Sequence, residues 1–218
     1  MRKNTLPLLL AMIFLFSCNN NGEKTEASKT DSATATTEVK KETTMATMPD
    51  TAAIKKAWKV YMTPGDMHKW MAKTNGTWEA EVSQWMDPKA PPTKAKATNV
   101  QSSALGGRYV VGKFTSTMMG MPFEGMSTMG YDNAKKMFTS TWMDNMGTGI
   151  VHMSGSYDET TKTLNLKGHQ TDFLTGNDSD IREEMTMIDN DSYSMTMYGT
   201  GMDGKEAKFM EGVFKRKK

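Results

Sequence analysis

Cys18 is the only cysteine in this 218-residue chain, so no disulfide can form within it and the fold must rest on its own core. Beyond residue 16 there is no apolar run of the ~20 residues that a membrane-spanning helix needs. An excess of charge is missing too, with 27 Lys and Arg against 25 Asp and Glu. Without a basic block, apart from the short tail Lys215-Arg216-Lys217-Lys218, the chain has no electrostatic footprint for nucleic acid. Histidine is scarce. His68, His152 and His169 form no His-Glu-x-x-His pair, which removes support for a zinc enzyme. There is no Gly-x-Ser-x-Gly elbow. Gly106-Gly107 and Gly147-x-Gly149 precede no helix start, so neither reads as a phosphate cradle. Glu183 and Glu184 are neighbours on one expected strand and face opposite ways, so they make no catalytic pair. No enzyme class is indicated.

What the chain does have begins with its first residues. Arg2 and Lys3 precede an apolar run over residues 6–16, the pattern of a secretory signal peptide. The run ends in Leu15-Phe16-Ser17-Cys18, which resembles the lipobox cut by the lipoprotein signal peptidase. The expectation is removal of residues 1–17, acylation of Cys18 and anchoring of the chain to a membrane of the cell envelope through that lipid. Acylation would also bar Cys18 from metal binding or nucleophilic chemistry. Asn19, rather than Asp, points to the outer membrane, on its periplasmic or surface side. Residues 18–50, rich in Asn, Thr, Ser, Ala, Lys and Glu, carry too little apolar surface to offset the entropy of ordering and read as a tether.

Residues 51–75 read as helical. Ile54, Trp58, Tyr61 and Met62 form one apolar stripe, Pro64-Gly65 interrupts it, and Met67, Trp70 and Met71 form a second. From Gly76 the period changes to two, with Trp78, Ala80 and Val82 alternating against Glu79, Glu81 and Ser83. Further strands are expected over 94–105, 109–117, 123–131, 137–143, 149–157, 163–170, 181–188, 193–198 and 206–215, separated by Gly, Asn and Asp turn signals. About ten antiparallel strands without helical crossovers point to an all-β, up-and-down barrel over residues 76–218, with a two-sheet sandwich as the alternative.

The motif Gly76-Thr77-Trp78 resembles the Gly-x-Trp opening of lipocalin-like barrels. In those proteins the Trp caps one barrel end and packs on a basic residue of the last strand, which implies structural roles for Gly76, Trp78 and Arg216. Longer stretches follow in order: Trp85-Met86-Asp87-Pro88, Leu105-Gly106-Gly107-Arg108-Tyr109, Gly120-Met121-Pro122-Phe123-Glu124-Gly125, Gly130-Tyr131-Asp132-Asn133 and Ser140-Thr141-Trp142-Met143-Asp144-Asn145. Over roughly residues 67–215 the chain thereby resembles the bacterial domain-of-unknown-function family 1579, taken to be lipocalin-like, calycin-type barrels. The resemblance implies a fold and supplies no catalytic or binding residues.

Methionine is the compositional outlier, at 23 residues. Met185 with Met187, and Met195 with Met197, are spaced to share one face of a strand. Thioethers select Cu(I), and they are also adaptable fillers of apolar space. Copper binding and a Met-lined interior are both open on this pattern, as is haem ligation by His152. The function expected is non-enzymatic binding of a small apolar or amphipathic ligand, with no cofactor required. A copper or haem protein, or a structural or partner-binding envelope protein, is the alternative. Trp85, Tyr109, Trp142, Met185, Met187, Met195 and Met197 are the candidate pocket residues, with Arg108, Glu124 and His152 as candidate polar anchors.

Overall fold

Ten strands close into a barrel in a computed structural model that describes residues 50–201 and 203–218. Cys18, the expected leader and nearly all of the expected tether lie outside the described residues. Two helices come first. The helix α1, Thr51–Met62, starts where the Asp50 carboxylate accepts from the Ala53 N–H at 2.7 Å, and stops just before Pro64. The helix α2, Asp66–Ala72, is shorter, and the Gly65 N–H donates to His68 Nδ1 at 3.0 Å across its first turn.

The strands are β1 Gly76–Gln84, β2 Thr93–Ala104, β3 Tyr109–Met118, β4 Met121–Asp132, β5 Met137–Asp144, β6 Val151–Asp158, β7 Thr163–Thr171, β8 Asp178–Met187, β9 Ser192–Thr200 and β10 Glu206–Arg216. Each pairs antiparallel with its sequence neighbour, and β1 pairs with β10 to close the ring, Trp78 opposite Arg216 and Val82 opposite Gly212. Closure leaves no free edge, which a sandwich would have to protect. Among the described residues only β10 departs from regular pairing, with Phe209 as the extra residue of a bulge.

Alternation then sorts the side chains. Trp78, Val82, Phe114, Phe138, Leu164, Leu166, Met185, Tyr193 and Phe214 point inward and form the core, while their neighbours point to solvent. Up-and-down order puts every second connection at the same end. One end carries the two helices, and the opposite end carries the five hairpin loops that follow β1, β3, β5, β7 and β9.

The α2 stripe packs on the barrel, with Trp70 and Met71 buried. The α1 stripe does not. Ile54, Trp58, Tyr61 and Met62 are all exposed, and no residue of α1 is buried. Its periodicity marks an apolar face without specifying a partner. Its hold on the barrel is polar: Asn133 Nδ2 donates to the Val60, Tyr61 and Thr63 carbonyls, and Arg108 to the Met62 carbonyl at 2.8 Å. Among the described residues, no helix is long and apolar enough to cross a membrane.

Candidate ligand-binding lumen

The helical end of the barrel is shut. Trp70 enters from α2, edge-on to Phe138 at 5.3 Å and tilted on Tyr157 at 4.5 Å between ring centroids. Below it Trp78 is fully buried, and its indole N–H donates to the Thr74 carbonyl at 2.7 Å, so its one polar atom is satisfied. The Arg216 guanidinium lies 4.1 Å above the Trp78 ring and donates to the carbonyls of Lys73, Asn75 and Asn190 and to the Asp191 carboxylate. One planar fork thus ties the last strand, the α2–β1 junction and the β8–β9 turn together. Gly76 makes room for it. At φ +128°, a Cβ there would sit 2.6 Å from an Arg216 nitrogen.

The middle of the lumen mixes apolar walls with three buried polar groups. Tyr193 stacks on Phe214, with centroids 4.8 Å apart, and its hydroxyl accepts from Asn99 Nδ2 at 3.1 Å. Burial pushes the Tyr193 phenol pKa up. Glu183 projects inward from β8, opposite Met197 of β9. Around it the register places Met185 opposite Met195, and Met197 opposite Met210. Burial alone pushes the Glu183 carboxyl up to about 7. Among the described residues nothing donates a hydrogen bond to that carboxyl, yet no polar side-chain atom is both sealed off and unpartnered. The Glu183 oxygens therefore border space that a water molecule can reach.

Toward the loop end an aromatic wall takes over. Phe114, Phe123 and Trp142 contact one another with centroids about 6 Å apart. Trp142 lies flat across Gly125, where any Cβ would come within 2.2 Å of the indole. Its N–H donates to the Asp144 carboxylate at 2.8 Å, and the other Asp144 oxygen accepts from the Met146 and Gly147 amides. Inward-facing Trp142, Val151, Met195, Met197 and Met210 are only half-buried.

Of the ten candidate pocket and anchor residues, the structure turns Trp142, Met185, Met187, Met195 and Met197 into the lumen. The other five lie elsewhere. Tyr109, Glu124 and His152 fall on the outer side of the pleat, Tyr109 covering Gly130 and Glu124 facing Lys113 at 3.8 Å. Trp85 follows β1 on its outer side, beneath the Lys208 ammonium at 4.5 Å. Arg108 is spent on the Leu105 and Met62 carbonyls at the shut end. An exposed His152, opposite His169 in the register, cannot ligate a haem inside the barrel, so that expectation is corrected. Among the described residues, no group of three His, Cys, Asp or Glu side chains converges for a metal ion.

Sequence reasoning weighed Glu183 only as half of a carboxylate pair with Glu184, and did not single out Asn99 or Tyr193. Glu183 had a signal: it shares its parity with Ile181 and Met185, which marks a carboxylate on an apolar face. His68 is the buried histidine instead, and burial, then the nearby Arg108 charge, holds its pKa down. A wider groove of about 930 Å³ runs outside the barrel over β1, β2, β9 and β10. Lys94 and Glu81 pair there at 2.8 Å, and the rest of its lining is mostly the outward-facing side of those strands.

Solved structures with the same architecture are distant in sequence. Rv2717c from M. tuberculosis matches with a TM-score of 0.55 at 12% identity, covering 72% of this chain and 100% of its own. The S-type phycobiliprotein lyase from Guillardia theta matches with a TM-score of 0.51 at 9% identity, covering 78% and 99%. At these identities the likeness is one of fold. A comparison with curated proteins finds no match. The model of the family described as "Protein of unknown function (DUF1579)" matches residues 63–216, both the plugging helix and the whole barrel, and the chain belongs to that family.

Proposed function

We propose that this chain is a membrane-anchored binding protein that holds a small apolar or amphipathic ligand inside its barrel. The supporting observation is the incomplete burial of Trp142, Val151, Met195, Met197 and Met210, which point inward at the loop end and still retain exposure. A filled core would bury them, as it buries Trp78, Leu164 and Phe214 nearer the plug. Apolar walls with a few fixed polar groups are what small-molecule sites generally present. Barrels of this class have room for one such ligand.

Anchoring through a lipid on Cys18, in the outer membrane, is part of the same proposal. It is supported by the leader and by Ser17-Cys18. Incorporation of labelled palmitate by the wild type and not by Cys18→Ser is the result expected.

The binding test uses N-phenyl-1-naphthylamine, a neutral probe that fluoresces in apolar surroundings. Saturable binding of one probe per chain is expected. Its loss in Met197→Trp, with the far-ultraviolet circular dichroism unchanged, would place the probe in the lumen. Unchanged binding in that variant would refute the proposal. Exchanging Met195 and Met197 together for Leu keeps the apolar volume and removes two thioethers. The probe should still bind, whereas cuprous ion would lose its ligands if the methionines served copper.

A further inference from the structure

Resting on the lumen reading, we infer that Glu183 is the ligand's polar anchor and that the ligand brings a protonated nitrogen to it, as an apolar amine does. Three observations converge. First, Glu183 lies in the middle of the lumen at 8% exposure, with no hydrogen-bond donor among the described residues and yet with reachable space beside its oxygens. Second, no countercharge is supplied from within. Among the described residues the strands turn no Lys or His inward, and Arg216 is engaged at the plug. The titratable group facing Glu183 is the Tyr193 phenol, and Asp144, near the mouth, is taken up by Trp142 and two loop amides. Third, the surrounding wall is made of Met185, Met195, Met197 and Met210, whose thioethers donate no hydrogen bond and adapt to the shape of an alkyl chain.

The energetics favour a cation over a neutral head. Burying an ion pair costs the desolvation of both partners. Here the cost of desolvating the carboxylate is borne when the barrel folds, so an incoming ammonium loses only its own hydration and gains a charge-assisted hydrogen bond. A carboxylate ligand would meet like charge in the same place. The proton balance follows from the same site. Near neutrality the carboxyl is partly protonated, and pairing with an ammonium displaces that proton to solvent.

Decylamine and decanoate, used below their micelle concentrations, and decanol, used below its solubility limit, separate the head group from the chain. Isothermal titration near neutral pH should show decylamine binding about tenfold or more tighter than decanol, as one charge-assisted hydrogen bond implies, and decanoate weakest. In Glu183→Gln the amine preference should collapse to about that of the alcohol. Repeating the amine titration in buffers of different ionisation enthalpy should show about half a proton released per amine at pH 7. This readout uses the wild type, so it stands even if the variant folds poorly. Equal binding of the three chains, tighter decanoate, or an amine preference that survives in Glu183→Gln without proton release would overturn the anchor and leave lumen binding intact. Binding of none of the three, together with no naphthylamine binding, would bring down the lumen reading itself.

Discussion

Glu183→Gln should change how folding stability depends on pH, whether or not any ligand is present. The carboxyl has an ordinary value of 4.5, the barrel pushes it up to about 7, and desolvation is the cause. The folded state therefore binds this proton more tightly than the unfolded chain does. Below about pH 4.5 Glu183 is protonated in both states and its ionisation costs nothing. As pH rises toward 7 the unfolded chain releases the proton while the barrel retains it, and stability falls. Above about 7 the loss is complete, and with about 1.4 kcal/mol per pKa unit it amounts to roughly 3 kcal/mol. Gln carries no proton to lose, so its curve should lack this fall. His68 acts in the opposite sense. Its lowered value favours the neutral ring, so its contribution is whole above the ordinary 6.5 and is lost as pH falls through the folded value. Because His68 is present in both proteins, it cancels in their difference. Urea unfolding followed by circular dichroism at about pH 5 and about pH 8 isolates the Glu183 contribution. The variant should gain roughly 2.5 kcal/mol on the wild type between the two pH values, since a little of the loss has already occurred at about pH 5. A difference that stays constant would mean that the carboxylate is hydrated inside the barrel, and the electrostatic argument would fail.

Three other perturbations probe the frame around the lumen. Arg216→Ala removes a guanidinium that serves three carbonyls, one carboxylate and the Trp78 face, and should cost about 3 kcal/mol in urea unfolding. Arg216→Lys should recover less than half of that, because an ammonium has no planar fork. Gly125→Ala drives a methyl into the Trp142 ring and should cost about 2 kcal/mol, with altered near-ultraviolet dichroism as the indole swings away. Asn133→Ala frees the carbonyls at the end of α1, so amide exchange in residues 51–62 should accelerate while the melting temperature of the barrel hardly moves.

The barrel was legible in the sequence because alternation and turn signals are local, and ten strands in succession with turns between them leave few architectures. Sidedness was equally local. The pleat separates Met195 and Met197 from Tyr198, and reading it strictly would have sent Tyr109, Glu124 and His152 outward and Glu183 inward. Those three drew attention through chemical character or place in a family-like segment, neither of which reports which way a side chain points. Contacts that depend on closure were beyond reach. Asn99 meets Tyr193 across 94 residues of chain, and nothing in either strand alone shows that they share a height in the lumen. The α1 stripe failed for another reason. Hydrophobic period reports that a face exists and is silent about what covers it, and here the barrel grips the helix by its carbonyls instead.

Trp70, Trp78 and Arg216 together make the barrel a vessel with a floor. On the proposed function, a ligand that entered past the loops would meet the indoles at the bottom and would have to leave by the way it came. Such a shape would store and surrender a ligand but would not conduct one. Net delivery would therefore require the mouth to face a source at one moment and a recipient at another, and, under the proposed lipidation of Cys18, the length of chain between that lipid and the barrel would decide how far apart those two can be.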